Sequence, residues 1–485
     1  MNAAALFRDA ALRHPDRIAF FHRDARITYR QLWERVSRFS GGLTQRGFAR
    51  DDRAIVMLGM SIELYVALLA VLKCGGVAVF LDPWVGVPST RAKAYLGSLK
   101  SQLLRLRHRN LRGIDIAPLF FGALERSAPS DEIVDADDDD CALITFTTGS
   151  SGNAKGVKRT HGILRAQHEQ LAKEFPPDVS DIDLCTFPVY ALNNLALGVP
   201  TLIPDVDLRR VADADASKVA RDIERCGVTT ASASPPLFDR LAALPSRPKL
   251  RRILTGGAPV TDAQLRAWID AWPEAEIGVA YGSTEAEPVA HIGARERLAA
   301  RSSVRPLAPG YLAGRPVAGI RARLHSPGYD GIGELIVAGP HVGRDYEGDP
   351  EAVRQNKIFD DDGTVWHRMG DTGYFDELGR FWIAGRVHST ISREGVLVHP
   401  QLVEQAALGD DHFQVAALGV DGRVVVVIFD SRERRHGRRT PDEIRERVER
   451  AGLPCDRVVF MTKALPVDPR HNSKIDYTRL KERLT

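Results

Sequence analysis

The sequence predicts an α/β protein in two parts. A large N-terminal domain of parallel-sheet α/β subdomains carries a small β-barrel-like unit, and a small α+β C-terminal domain follows. Three observations predict this. At 485 residues the chain is too long for one hydrophobic core, since single domains hold roughly 100–200 residues. Short apolar runs alternate with amphipathic stretches in its first half, the spacing of a parallel sheet covered by helices. Near Gly385–Arg386 the pattern changes to strands interleaved with a polar helix.

The elements follow in order. Thr28-Tyr29-Arg30-Gln31-Leu32 opens an amphipathic stretch running towards Leu43. Ala54–Leu58 is a short apolar run expected to be a buried strand, Glu63–Lys73 has helical periodicity, and Val77–Leu81 is a strand stopped by Asp82-Pro83. The same style returns after Val199, with strand Thr201–Pro204, helix Val211–Cys226 and strand Val228–Ala231. Arg251–Leu254 and Glu276–Ala280 read as further strands, each ending in a glycine-bearing turn. Gly310–Glu347 is rich in β signals and is expected to form the small antiparallel or barrel-like unit. Beyond the boundary, strands Val415–Leu418 and Arg423–Phe429 precede a polar helix, Pro441–Ala451. The domains are therefore expected at residues 1–384 and 385–485.

Composition excludes several classes. Hydrophobic residues make up 44% and charged residues 27%, which is ordinary for a globular chain. A net charge of +3 is too weak a bias for nucleic acid as the main partner. The five cysteines form no CxxC pair, so neither a disulfide framework nor a zinc site is expected, and reduced thiols in a cytoplasmic protein are the reading. Met1–Phe21 lacks the apolar centre of a secretory signal. The longest apolar region, Leu64–Phe80, is broken by Lys73 and Gly75-Gly76 and falls short of the ~20 residues of a membrane span. Two basic clusters, Lys100–Arg112 and Arg432–Arg439, read as solvated faces, with an acidic or phosphate-bearing partner as the alternative.

The strongest local signal is Thr147-Thr148-Gly149-Ser150-Ser151-Gly152-Asn153-Ala154-Lys155-Gly156, which follows the apolar run Ala142–Phe146. Glycines let amide N–H groups converge on an anion, and the hydroxyls and lysine add donors for phosphate. It is not the Walker pattern, because Gly156 and not a hydroxyl residue follows Lys155. Further motifs follow in order: Thr255-Gly256-Gly257-Ala258-Pro259, Tyr281-Gly282-Ser283-Thr284-Glu285 and Met369-Gly370-Asp371. Gly385-Arg386 through Val398-His399-Pro400 to Glu404 comes next, then Leu465-Pro466 through Asn472-Ser473-Lys474-Ile475-Asp476. In this order they resemble the signatures of the adenylate-forming superfamily of acyl-CoA synthetases, peptide-synthetase adenylation domains and luciferases. The resemblance spans nearly the whole chain.

That resemblance implies ATP and Mg²⁺ as cofactors and a small-molecule carboxylic acid as substrate. It implies that Thr147, Thr148, Gly149, Ser150, Ser151, Gly152 and Lys155 hold the phosphates, and that Gly256, Gly257, Ala258 and Pro259 form the adenine-side turn. Tyr281 and Gly282 lie beside adenine, with the Tyr281 ring stacking on it. Thr284 meets the α-phosphate or the substrate carboxylate, and Glu285 ligates Mg²⁺. Asp371 accepts the ribose hydroxyls, Arg386 adds charge near ribose and phosphates, and Lys474 bridges carboxylate and α-phosphate. The C-terminal domain is then mobile about a hinge at His388. Read singly, His161 is a structural or capping residue, and His367 and Met369 shape the pocket wall.

Three segments narrow the resemblance: Phe187–Leu192, Trp366–Asp371 and Pro466–Ile475. They are similar to the bacterial β-lactone synthetases of long-chain olefin biosynthesis, which implies a 3-hydroxy acid cyclised after adenylation. Ala191 stands where many acyl-CoA synthetases carry histidine, and Tyr190 and Ala191 are expected at the acyl pocket. Two features depart from that subgroup: Val387-His388-Ser389-Thr390 replaces a basic stretch, and the region around Gly86–Ala117 is short. A smaller substrate in a natural-product pathway is one implication. The alternatives are an acyl-CoA ligase, an enzyme loading a carrier protein or working beside pathway enzymes, and a non-catalytic nucleotide-binding homologue.

Overall fold

The structure, a computed structural model, describes residues 1–81, 91–108, 111–148, 154–303, 309–409, 411, 413–430, 439–467 and 475–484. Gly149–Gly152, Lys474, Arg109 and 432–438 lie outside the described residues, as do Asp82-Pro83 and residues 86–90 of the short region.

A five-stranded sheet runs Ala94–Gly97, Arg53–Met57, Val77–Phe80, Cys141–Thr148, Ala154–Thr160. All its pairings are parallel except the last, an antiparallel hairpin. The helix Ile62–Lys73 covers it with every residue but Glu63 buried. Fully burying each Leu or Val stabilises by roughly 1.5–3 kcal/mol, so this apolar segment is a core helix. Among the described residues no helix is long and apolar enough to cross a membrane.

The second sheet is larger. Ile18–His22, Thr201–Ile203, Asp183–Cys185, Thr230–Ala233, Arg252–Gly256 and Glu276–Ser283 are parallel neighbours. From Ala286–Gly293 onward the pairing is antiparallel, through Tyr311–Pro316, Phe381–Arg386, Val365–Phe375 and Gly333–Ala338 to the edge strand Arg321–His325. The α/β class is as expected, and of the two shapes expected for the β-rich unit the described residues show the antiparallel one. Its strands extend the parallel sheet, and no pairing among the described residues closes it.

Local chemistry sets the ends of elements. The helix Tyr29–Thr44 starts where Thr28 and Gln31 form a capping box. The helix expected from Val211 begins at Ala216, because the Asp215 side chain accepts from Lys218 N; only a kinked 3₁₀ segment, Leu208–Asp213, precedes it. The next strand starts at Thr230 and not Val228, because Gly227 takes φ +67° and Val228 N bonds back to Ile223 O.

Beyond Arg386, a hairpin (Ile391–Arg393, Val396–Val398), the helix Pro400–Leu408 and a three-stranded sheet build their own cores. Gln405 joins this part to the rest, accepting from Gly310 N at 2.9 Å and donating to Gly310 O at 2.7 Å. His399 Nδ1 lies 3.1 Å from Thr372 Oγ1.

Candidate active site

The C-terminal ends of parallel strands are where α/β sheets bind ligands. Two adjacent strands, Arg252–Gly256 and Glu276–Ser283, bring the segments 255–259 and 281–285 together there. Glycine is needed at the first turn. A Cβ on Gly256 would lie 2.7 Å from Ala280 O, and Gly257 has φ +76°. Ala258 and Pro259 complete that turn.

Asp371 arrives from the antiparallel half, on Val365–Phe375, where its cross-strand partner is Arg386. The Tyr281 hydroxyl donates to Asp371 Oδ2 at 2.7 Å, and Arg386 Nη1 is 3.2 Å from Oδ1. Three residues named from separate motifs thus meet at one carboxylate, 8% exposed.

Glu285 sits in a clamp that sequence reasoning missed. The Tyr346 hydroxyl donates to its Oε1 at 2.9 Å, and Gly343 N donates to its carbonyl at 2.7 Å. Lys357 Nζ donates to Gly343 O at 2.5 Å and lies 3.2 Å from His367 Nδ1. Burial, with Lys357 beside it, holds His367 down at about 3, so the ring is neutral and accepts from the ammonium. Burial also lowers Lys357, to about 8, which leaves it mostly charged at neutral pH. Burial alone would raise Glu285; its pKa is nevertheless lowered, and with His367 neutral the stabilising charge is that of Lys357, helped by the Tyr346 hydroxyl. His367 and Met369 do line this region: Met369 Sδ lies 3.9 Å from Ser283 Oγ. Nothing local in the sequence marks Tyr346 or Lys357, which lie far along the chain from Glu285.

Of the segment 147–156, the described residues lie on the hairpin of the first sheet, where Thr147 pairs with Lys155 and Thr148 with Ala154. Glu347 N donates to Gly156 O at 2.7 Å, tying the hairpin to the Tyr346 segment. Arg159 Nη2 donates to Thr284 O at 2.7 Å. At the other end of the chain, a bridge pairs Val467 with Ile475, on either side of the Lys474 segment. Asp476 N donates to Pro466 O at 2.9 Å.

Tyr190 and Ala191 lie on the helix Pro188–Leu197, and both are buried. His388 occupies a single 3₁₀ turn, Val387–Ser389, directly after Arg386. His161 is structural: its Nδ1 accepts from Ala3 N at 3.0 Å, while the cap of its helix is Thr160. In the first basic cluster Arg105 is engaged internally, by Leu111 O at 3.0 Å and Gln102 Oε1 at 3.1 Å. At the end of the second, Arg439 pairs with Asp411 at 3.2 Å. All five cysteines are free thiols.

The chain is similar to known proteins in sequence and in fold. Residues 7–347 match the AMP-binding enzyme family. The chain is 30% identical to an olefin β-lactone synthetase of Stenotrophomonas maltophilia, over 99% of this chain and 97% of that one. It is 29% identical to a feruloyl-CoA synthase of an Amycolatopsis species, over 93% of each. Its fold matches ATP-bound MatB of Rhodopseudomonas palustris with a TM-score of 0.82 at 21% identity, covering 100% of this chain and 99% of that one. The motifs, the fold and a family match over most of the chain agree: it belongs to the AMP-binding enzyme family and is an adenylate-forming ligase that uses ATP.

Proposed function

We propose that the enzyme activates a 3-hydroxy acid as its acyl-AMP and then closes the acid on itself to a β-lactone. The observation that carries this reading is the near full-length similarity to an olefin β-lactone synthetase. Ala191, 0% exposed, supports it by leaving no imidazole where many acyl-CoA synthetases have one.

In the first step a carboxylate oxygen attacks the α-phosphorus of ATP, and pyrophosphate leaves. In the second the 3-hydroxyl oxygen attacks the acyl carbon, the carbon–oxygen bond to AMP breaks with its electron pair on AMP, and the hydroxyl proton passes to solvent. No external thiol takes part. The enzyme must hold the hydroxyl near the carbonyl and exclude water, and orientation of this kind supplies up to roughly 7–11 kcal/mol.

The residues divide the work. Tyr281 faces adenine while its hydroxyl orients Asp371, which accepts the ribose hydroxyls. Arg386 shares that carboxylate and adds positive charge near the phosphates. Lys155 and the hydroxyls of Thr147, Thr148, Ser150 and Ser151 hold the β- and γ-phosphates. Thr284 donates to the reacting groups, and Lys474 bridges the carboxylate and α-phosphate as charge develops. Glu285 fits Mg²⁺, because that ion is commonly held by one or two carboxylates plus phosphates and water. Bound there, the ion would offset phosphate charge, and Tyr346 would fix the Glu285 carboxylate towards it. Residues 385–485 turn as a unit about His388 between the steps.

The similarity to feruloyl-CoA synthase supports a second reading, transfer of the acyl group to CoA. The test supplies purified enzyme with ATP, Mg²⁺ and a panel of 3-hydroxy acids, without CoA, and analyses products by mass spectrometry. The expected result is AMP and a product one water lighter than the acid. A product that forms only with CoA, as a thioester, and equally from the 3-deoxy acid would refute the lactone.

A further inference from the structure

We infer that the face built by the helix Leu99–Arg105 and the neighbouring segment 118–120 docks on an anionic lipid surface. This is independent of which acid is activated and of whether the adenylate ends as lactone or thioester.

Residues 99–120 hold five Lys or Arg against a single acid, Asp115, whereas the whole chain nets only +3. Positive charge is therefore concentrated here. The same stretch exposes apolar side chains: Leu99, Leu103, Leu106, Leu119 and Phe120 are each between 50% and 70% exposed. Spacings of four and seven residues put the first three on one side of the helix and of the turn that follows it. The other side is fixed to the protein. Gln102 is buried and its Nε2 donates to Pro118 O at 2.9 Å, and the Tyr95 hydroxyl donates to Ser101 O at 3.0 Å. The Gln102 bond also brings the segment carrying Leu119 and Phe120 against this helix. Large apolar groups exposed singly need no explanation, but gathered within a polar rim they mark an interaction site.

The cations frame the leucines. Lys100 follows Leu99, Arg107 and His108 follow Leu106, and Arg112 Nε donates to Leu106 O at 2.7 Å. Among the described residues none gives these four side chains an ion pair, whereas Arg105 is engaged internally. Lipid phosphates complement such cations while the leucines and Phe120 enter the boundary of the acyl chains. A second copy of this chain seated on the same face would set like charges against each other. Nucleic acid would meet the charge but leave five apolar side chains unused. An acidic protein would meet it too, but would need a recess shaped for Leu119 and Phe120; a bilayer takes in protruding side chains without one. The helix follows the edge strand Ala94–Gly97, three strands from Cys141–Thr148, so the docked face is not that of the active site.

The test sediments the full chain with sucrose-loaded vesicles, of phosphatidylcholine alone or of phosphatidylcholine and phosphatidylglycerol at two to one. The protein should pellet with the anionic vesicles, stay in solution with the neutral ones, and be released as salt rises. Each basic residue near such a surface contributes about fivefold to partitioning, so Lys100→Gln with Arg107→Gln should weaken it roughly 30-fold. Leu119→Ser with Phe120→Ser should weaken it about tenfold or more, since both side chains then leave no apolar surface to bury. All four positions are exposed, and an unchanged thermal unfolding midpoint checks that both variants fold. Pelleting with neither vesicle, or equally with both, would overturn the inference. So would binding that the charge variant weakens and the apolar variant leaves untouched, the behaviour of a purely electrostatic contact such as an acidic protein makes.

Discussion

Replacing Glu404 with glutamine should remove a pH dependence from the stability of the C-terminal domain. Glu404 lies on the helix Pro400–Leu408, 7% exposed. Its Oε1 accepts from the Tyr477 hydroxyl at 2.6 Å and from Ala417 N at 2.9 Å. Burial pushes its pKa up from 4.5 to about 7, despite two donors that favour the anion. The folded state therefore binds the proton more tightly than the unfolded state. The stability this contributes is fully present below pH 4.5 and is lost as pH rises through 7. Between pH 5 and pH 8 the loss integrates to about 2–3 kcal/mol. Glutamine keeps an oxygen that accepts both bonds but does not titrate, so the variant lacks this slope. Hydrogen exchange of peptides covering Pro400–Leu408 and Gln414–Val420, in wild type and Glu404→Gln, reads the difference in opening free energy while intrinsic exchange rates cancel. The variant should gain about 2–3 kcal/mol on wild type between pH 5 and pH 8. A difference that stays constant with pH would refute the reasoning.

Three further outcomes are expected. Lys474→Ala should abolish adenylation and leave ATP binding largely intact, measured by pyrophosphate exchange and calorimetry; wild-type rates would remove Lys474 from the chemistry. Tyr346→Phe deletes the donor to Glu285, and a hydrogen bond to a charged group is worth roughly 1.5–3 kcal/mol, so adenylation should fall about 10- to 150-fold. Titration with Mg²⁺ and ATP should show weaker metal binding in the same variant, and rates within twofold of wild type would show that the clamp is idle. His388→Pro, in the turn after Arg386, should spare adenylate formation and slow the second step; equal slowing of both would place the hinge elsewhere.

Much of the fold was legible because it is written in local pattern. Arg423–Phe429 alternates nothing and is apolar throughout its middle, and it forms a central buried strand over the span expected. Errors fell where a cap outcompeted periodicity, as at Asp215 and Gly227. The β content of Gly310–Glu347 was readable, but the choice between an antiparallel sheet and a barrel was not. Whether strands close into a barrel depends on which edges pair, and the edge of this unit pairs with the parallel sheet through Ala286–Gly293.

The site divides in the same way. The sequence by itself singled out Thr284, Glu285, Asp371 and Arg386, because the motifs that carry them resemble those of the adenylate-forming superfamily. Only the tertiary structure decided that Tyr281 bonds Asp371 and that Tyr346 and Lys357 brace Glu285. Helical and strand periods, caps and turn glycines act over a few neighbouring residues and leave their mark on the sequence. A hydrogen bond between residues far apart in the chain leaves none, since it exists only once the strands carrying them have found their register.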